Sequence, residues 1–568
     1  MKRTTIPLLC ALLLLSGCQQ TEPSSAESGS TPTAAEPVSV IDTSALFSGR
    51  DLDSSYDGST AVRIRLEGET AVCDSDAVSI DGSRITLLDE GTYLVSGTLT
   101  DGQIMVDAGD TDKVQIVLDG ASLTCADSAA IYSKSADKVF LTLAEGTENT
   151  LSNGGSYTAI DENNIDSVVF SKTDLTLNGS GSLTIDARAG HGVVSKDELT
   201  ITGGTYTVTA AEHGMTGKDS LAVAGGDLTI TSGKDGLHAE NADDASMGFL
   251  YVADGTFTIA AQGDAVSASG ALQVDGGTFD LTTGGGSASV TMTTGDSFAH
   301  GGKGDGPGRG DGSRPQGEQP AEGETPPERP DGGQPLEFPI QPAGEEPAST
   351  AETAEMTDTA EDTVSQKGMK AEGTLTINGG AFTVDSADDC LHSGGDLTVT
   401  GGTFTLSSGD DAVHSDYAVT VRDGEFSIPY CYEGVEGLSV TVEGGTFEIT
   451  AYDDGFNAAG GADSSGFGGR GDQFAVSEDS FITVNGGTIT IVSDGDCLDS
   501  NGNLTVNGGT LDLTCNGNGN TALDCDGNYA NNGGSVTTND GSESNPGGMG
   551  GGRPGGRQAP PGQETPAA

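Results

Sequence analysis

Residues 386–416, SADDCLHSGGDLTVTGGTFTLSSGDDAVHSD, set two aspartates, a small residue, an apolar residue and a histidine in a row, then repeat the set 22 residues on. The cadence extends well beyond this pair. Aligned on the apolar residue (Leu237, Leu391, Val413, Val435, Phe456, Leu498), the position two before it reads Asp235, Asp264, Asp389, Asp411, Glu433, Asp454 and Asp496. The position one after reads His238, Ser267, His392, His414, Glu436, Asn457, Asp499 and Asp524, while Asp388, Asp410 and Asp453 precede the first set. Every one of these side chains offers an oxygen or nitrogen donor. If the repeats stack at the ~4.8 Å spacing of neighbouring strands, adjacent carboxylates repel by about 1 kcal/mol in water and by several times more where water is excluded. A divalent cation reverses that sign: Ca²⁺ takes six to eight oxygens at about 2.3–2.6 Å and so bridges carboxylates of successive repeats. The competing explanation is that Asp and Gly merely suit tight corners, as Asx-turn formers on a solvated edge. Corner preference does not account for the doubled aspartates or for the variant Glu433-Gly434-Val435-Glu436.

The nitrogen donors carry a weaker signal. His392 and His414 are surrounded by hard carboxylates, with no cysteine at a zinc-like spacing, so hydrogen-bonding histidines on the edge are expected rather than zinc ligands. Lys367 and Lys370 fall into the two donor columns on their own repeat, and Lys218 and Lys234 lie on earlier ones. A lysine in an acid column is expected to salt-bridge neighbouring repeats in place of a metal; a catalytic base is the alternative.

Something regular must position these groups. Paired glycines recur at Gly203-Gly204, Gly225-Gly226, Gly379-Gly380, Gly401-Gly402, Gly444-Gly445, Gly486-Gly487 and Gly508-Gly509, mostly 21 or 22 residues apart, the mark of a solenoid. Between them lie short alternating segments such as Leu375-Thr376-Ile377, Phe382-Thr383-Val384 and Phe404-Thr405-Leu406, which read as strands. Three short strands with glycine-rich corners in about 22 residues predict one coil of a parallel β-helix. A leucine-rich horseshoe lacks support, since neither a leucine consensus nor a helical segment is present.

The formal charge is 24 − 86 = −62, which repels nucleic acid and anionic membrane and attracts metal cations. With 89 Gly, 16 Phe, 11 Tyr and no Trp, many small cores or one long thin one are expected rather than a conventional large aromatic core, while 34% hydrophobic residues are too many for full disorder. Lys2-Arg3, the apolar run Ile6 to Leu15 and Leu15-Ser16-Gly17-Cys18 read as a bacterial lipoprotein signal, with Cys18 lipidated and the chain held on the extracellular face of the cell membrane. The body keeps seven cysteines, an odd number without a CxxC, which argues against a disulfide framework and against a zinc site; a Cys515–Cys525 pair is the one bridge the spacing allows around the last coil.

Residues 367–527, with KGMKAEGTLTINGG, ADDCLHSGG, GDDAVHSD, YEGVEG, YDDGFNAAGG, GDCLDSNG and NTALDCDG, resemble the bacterial carbohydrate-binding domain family of calcium-binding right-handed parallel β-helices, similar in shape to pectate lyases. Residues 46–295 resemble the N-terminal part of that family. The resemblance implies an all-β, right-handed parallel β-helix that binds plant-type polysaccharide (acidic pectic glycans such as polygalacturonate, or cellulose) with several Ca²⁺ ions. Carried over by position, the calcium ligands are Asp388, Asp389, Asp410, Asp411, Glu433, Glu436, Asp453, Asp454, Asp496 and Asp499. Cys390 and Cys497 depart from the pattern, standing where Gly or Ala is ordinary. No catalytic residue is assigned. A calcium-dependent pectate-type lyase needs a Lys or Arg base, and a structural adhesion protein is the third reading.

The expected organisation is a lipoprotein signal (1–18), a flexible stalk (19–45), an N-terminal β region capping the solenoid (46–150), coils (151–295), a disordered Gly/Pro/Glu-rich insert (296–366), coils with the acidic ladder (367–530) and a disordered tail (531–568). The expected partners are polysaccharide and, through the lipid anchor only, the membrane.

Overall fold

Phe257, Ile259 and Ala261 point inward from the strand Thr256–Ala261 while Thr256, Thr258 and Ala260 face solvent. The same alternation recurs in Thr278–Thr283, Ala381–Ser386 and Thr403–Ser408. The computed structural model describes residues 41–292, 365–459, 479–544 and 546. In the regular coils three strands follow one another: a long one such as Ala381–Ser386, a short one such as Leu391–Ser393, and a third such as Leu397–Val399. Each pairs in parallel with its counterpart one coil on: Ala381–Ser386 with Thr403–Ser408, Leu391–Ser393 with Val413–Ser415, and Leu397–Val399 with Val419–Val421. The product is a parallel β-helix with a long, a short and a third face. Thr278–Thr283 pairs directly with Ala381–Ser386, so the coils on either side of residues 293–364 belong to one ladder.

The interior is a stack. Phe257, Phe279, Phe382, Phe404, Phe426 and Phe447 lie ring on ring with centroids 4.4–4.8 Å apart and planes within 6° of parallel. The chain reaches each long strand through a glycine at positive φ, +117° at Gly380 and +123° at Gly402. A Cβ on Gly402 would also stand 3.1 Å from the Phe404 ring, so the corner admits only glycine.

One long strand breaks the pattern. In Glu425–Cys431 both Pro429 and Tyr430 face outward, and the register slips against Thr403–Ser408 and again against Thr446–Ala451. The strand is one residue longer than its neighbours, so the following corner is one residue shorter. Tyr432-Glu433 then stands where Gly409-Asp410-Asp411 stands one coil earlier.

The coils extend further than the sequence indicates. Lys113–Cys125 pairs with both Lys138–Leu143 and Glu148–Asn153, so the N-terminal β region up to 150 belongs to the same ladder, and among the described residues antiparallel pairing is confined to Val62–Gly68 against Ala71–Val72 and to Val78–Asp81 against Arg84–Leu87. At the other end Ser535–Thr538 pairs with Thr510–Leu513, past the expected boundary at 530; its pairing, not its Asn- and Gly-rich composition, makes it a strand. The expected stalk ends in contacts. Ile41 packs with Tyr251 and Ala271, Arg50 Nη2 donates to Gln115 Oε1 (2.9 Å), and buried Asp51 accepts from Thr176 Oγ1 (2.6 Å) and pairs with Lys138 Nζ (2.9 Å). Residues 41–51 thus form a strap along the third face, running against the direction of the coils, and they bury its outward polar side chains Gln115, Thr142, Thr176 and Asn178. The signal segment with Cys18, the stalk to residue 40, the insert from 296 to 364 and the tail beyond 546 lie outside the described residues. Among the described residues no helix is long and apolar enough to cross a membrane.

Candidate functional site

The corner between the long and short faces carries the acid repeats. The register places the two donor columns as the sequence alignment does: His238, Ser267, Lys370, His392, His414, Glu436, Asn457 and Asp499 follow one another strand to strand. The first column is not a solvated edge. Asp389, Asp411 and Glu433 are 1%, 5% and 0% exposed. Their backbone geometry explains the burial. One carboxylate oxygen accepts the N–H of the column residue in the next coil: Asp235 Oδ1 from Asp264 N (2.8 Å), Asp264 Oδ1 from Lys367 N (2.7 Å), Asp389 Oδ1 from Asp411 N (3.1 Å), Asp411 Oδ1 from Glu433 N (3.2 Å) and Asp454 Oδ1 from Asp496 N (2.6 Å). The acid caps an amide that the corner leaves outside the sheet ladder. The second oxygen turns to the other column, Asp389 Oδ2 to His392 Nδ1 (2.9 Å) and Asp411 Oδ2 to His414 Nδ1 (3.1 Å). His392 and His414 therefore do hydrogen-bond, but as buried side chains stacked 5.0 Å apart rather than at an edge.

The charge balance changes along the column. At Asp388 and Asp389 the buried Lys367 supplies the counter-charge, its Nζ lying 2.9 Å from Asp388 Oδ1 and 2.8 Å from Asp389 Oδ2. Burial alone would raise the Asp389 carboxyl; Lys367 and the hydrogen bond from His392 outweigh it and hold the carboxyl well below its usual range. One coil on, His414 Nδ1 lies 2.9 Å from Glu436 Oε2 as well as against Asp411. Burial works against charge on His414, but Asp411, Asp416 and Glu436 outweigh it and keep the imidazole protonated. Even so, burial and the negative neighbours Glu436 and Asp410 push Asp411 up.

Further on the compensation ends. Asp496, Asp499 and Asp524 each turn a carboxylate oxygen to one place, all within 4.8 Å of one another. Burial, then mutual repulsion, drives Asp496 to about 8 and Asp499 to about 7, and burial with Asp499 and Glu433 drives Asp454 well up. Among the described residues no Lys, Arg or His pairs with Asp454, Asp496, Asp499 or Asp524. In the same column Asn457, 6% exposed, has its Oδ1 buried without a hydrogen-bond partner among the described residues. An orphaned carbonyl oxygen stacked next to Asp499 is what a cation would take up. Oxygens on one Ca²⁺ ion lie at most about 5 Å apart, twice the metal–oxygen distance, so the donor set fits the ion.

All ten sequence-assigned acids thus lie at this corner, with Asp388, Asp389 and Asp410 grouped, Asp411 and Glu436 grouped through His414, and Asp496 and Asp499 grouped with Asp524. The sequence reading missed His191 and His213, which extend the first column two coils upstream. Their 22-residue spacing to each other and to Asp235 was the available signal. The cysteines have no part in it. All seven in the described residues are free, Cys515 and Cys525 included, and Cys515 Sγ donates to Gly495 O instead (3.2 Å). Cys390 and Cys497 are fully buried small fillers under the corner, and burial holds the Cys497 thiol up at about 12.

Beside this corner the bulge presents Tyr430, 40% exposed, next to Pro429, and Tyr432 and Tyr452 stand with ring centroids 6.2 Å apart on successive coils. A depression of about 260 Å³ adjoins them, lined by Ser427, Pro429, Glu448, Thr450, Thr490 and Val492 among others.

A parallel β-helix with a donor-lined corner and a neighbouring tyrosine patch defines the class: an elongated scaffold that presents binding groups along one edge. Residues 81–412 and 409–549 match the family described as carbohydrate-binding domain-containing protein, and the chain belongs to that family. A relative from Acetivibrio thermocellus with the same description is 36% identical over 156 residues, 27% of this chain and 54% of that protein. The chain thus spans about half the length of the curated relative it matches. The solved structure of a polysaccharide lyase-like protein from C. thermocellum, a gadolinium derivative, shares 33% identity, covers 40% of this chain and 92% of its own, and superposes with a TM-score of 0.39.

Proposed function

We propose that the protein is a cell-surface lipoprotein that binds acidic plant-type polysaccharide at the donor-lined corner, with Ca²⁺ held by the acids. The observation that carries this reading is the group Asp454, Asp496, Asp499 and Asp524, half-buried carboxylates with no basic partner among the described residues, beside the orphaned Asn457 Oδ1. Calcium there supplies a positive centre with coordination positions open to sugar carboxylates and hydroxyls, which offsets the repulsion between a −62 chain and polygalacturonate. The protein's own contribution is to hold the oxygens in place: the Asp454 carboxylate is fixed by the Asp496 N–H, and that of Asp496 by the Thr521 N–H. Tyr430, Tyr432 and Tyr452 offer apolar faces for a sugar ring next to those acids, where the chain has no tryptophan to do so.

Binding without catalysis is the reading favoured by the lysines. Lys367 is engaged by Asp388 and Asp389, Lys370 by Glu372 (2.8 Å), Lys218 by Asp243 (2.7 Å) and Lys234 by Glu212 (3.0 Å). A general base needs a lysine neutral near working pH, and Lys218 and Lys370 are both shifted upward, Lys218 chiefly by its hydrogen bond to Asp243 and Lys370, against burial, by Glu372 and Asp264.

The test is retention on polygalacturonate, cellulose and a neutral glycan, in Ca²⁺ and in chelator. Calcium-dependent retention on polygalacturonate with no release of 4,5-unsaturated uronides is expected. Undiminished retention in chelator would replace the calcium-bridged reading with direct contacts, and ultraviolet-absorbing product would make the protein a lyase. Anchoring rests on residues 15–18, and loss of lipid labelling in Cys18→Ser tests it.

A further inference from the structure

The first column begins with nitrogen. His191, His213 and His238 stack across three successive coils with ring centroids 5.1 and 4.3 Å apart, and Asp235 lies between the last two. Asp235 Oδ2 is 3.3 Å from His213 Nδ1 and 2.7 Å from His238 Nδ1, and all three atoms share one space. The three side chains keep 13–16% of their surface exposed, so the space is reachable from solvent, unlike the sealed corner at Asp389. His213 Nδ1 is turned into this space, where it accepts the Asp235 N–H at 3.2 Å. The far side of His238 is also engaged: its Nε2 lies 3.2 Å from Glu240 Oε2. A histidine that ligates metal through one ring nitrogen and meets a carboxylate with the other has its tautomer and orientation fixed.

We propose that His213, Asp235 and His238 form a binding site for a borderline divalent transition metal of the zinc class, distinct in chemistry from the all-oxygen group at Asp496, Asp499 and Asp524. Two imidazoles and one carboxylate suit Zn²⁺, Cu²⁺ or Ni²⁺, whereas Ca²⁺ prefers oxygen alone. Ligand atoms on a tetrahedral zinc with bonds of about 2.0–2.1 Å lie about 3.3 Å apart, the separation found between Asp235 Oδ2 and His213 Nδ1, while the 2.7 Å contact from Asp235 Oδ2 to His238 Nδ1 has to open as the metal enters. On binding, each imidazole gives its Nδ1 lone pair to the metal: His213 Nδ1 gives up the Asp235 N–H contact, His238 Nδ1, which has no hydrogen-bond partner among the described residues, gains one, and any proton it bears leaves to solvent. The edge then sorts cations along its length, nitrogen-seeking ions at the early coils and oxygen-seeking ions at the late ones. The proposal stands apart from the carbohydrate reading and does not need it.

The test uses the full chain, stripped with chelator, dialysed into excess Ca²⁺ and titrated with Zn²⁺ by calorimetry and with Cu²⁺ by electron paramagnetic resonance. Expected are uptake of Zn²⁺ undiminished by Ca²⁺, a copper spectrum with two imidazole nitrogens, and loss of both in His213→Ala and His238→Ala. Glu240→Gln, at a side chain 58% exposed and so safe for folding, should weaken Zn²⁺ by about 10–100-fold. Zinc uptake of equal affinity in these variants, full displacement of zinc by Ca²⁺, or a copper spectrum without nitrogen coupling would each overturn the site. If the alanine variants do not fold, the Glu240→Gln titration and the wild-type copper spectrum decide the matter.

Discussion

Without metal the rod should lose stability as the pH rises, and the late acids set the size of the effect. Asp499 is held at about 7 and Asp496 at about 8, against an ordinary 3.8. The folded chain therefore keeps protons that the unfolded chain sheds near pH 4, and raising the pH through 7–8 strips them from half-buried, mutually repelling carboxylates. The contribution of these two acids is complete below about pH 4 and is lost progressively up to about pH 8. At about 1.4 kcal/mol per pKa unit, Asp499 alone accounts for about 4 kcal/mol, and because the two acids titrate as a pair the combined loss is nearer one such contribution than two. Calcium held as proposed requires the deprotonated acids, so its stabilising effect should grow over the same window. The assay is unfolding followed by circular dichroism at pH 5.5 and pH 8, in chelator and in Ca²⁺, for the wild type and for Asp496→Asn with Asp499→Asn. The amides still accept the backbone N–H but carry no charge, so the double variant should lose most of the pH dependence and the calcium gain at pH 8. A wild-type midpoint in chelator that rises with pH, or an equally steep fall in the double variant, would refute the reasoning.

Lys367→Met leaves Asp388 and Asp389 without their ammonium and should cost about 3–5 kcal/mol in chelator, with Ca²⁺ restoring more of the unfolding midpoint than in the wild type. Tyr430→Ala, at an exposed bulge, should change stability by no more than about 0.5 kcal/mol yet lower retention on polygalacturonate affinity gels; unchanged retention would remove the tyrosine patch from the binding edge. Phe404→Ala opens the ring stack and should destabilise by about 3–5 kcal/mol, read by urea unfolding, with the early and late coils separating into two transitions because each coil holds only its neighbours.

Much of the corner was legible because a solenoid turns sequence spacing into spatial adjacency: the alignment on Leu391, Val413 and Val435 is the register of the strands themselves. The role of Lys367 was legible for the same reason. The burial of Asp389 and Asp411 was not, since a string of aspartates reads as solvated until the amide that each one caps is located. The bulge at Pro429-Tyr430 was hidden because its extra strand residue is cancelled by the shortened corner, leaving Phe404 to Asp411 and Phe426 to Glu433 equally long in sequence. Nor could spacing reveal the strap, whose Asp51 meets Thr176 across 125 residues with no repeat to announce it.

That strap has a mechanical consequence. Ile41 sits beside Tyr251 and Ala271, near the middle of a rod whose third-face strands run from Val62–Gly68 to Tyr529–Asn531. The described chain thus starts on the flank of the rod, not at a tip. A tether attached there would grip the rod at its waist, like the pivot of a balance beam, on the coil that carries His238 and with the acid-rich coils out along one arm.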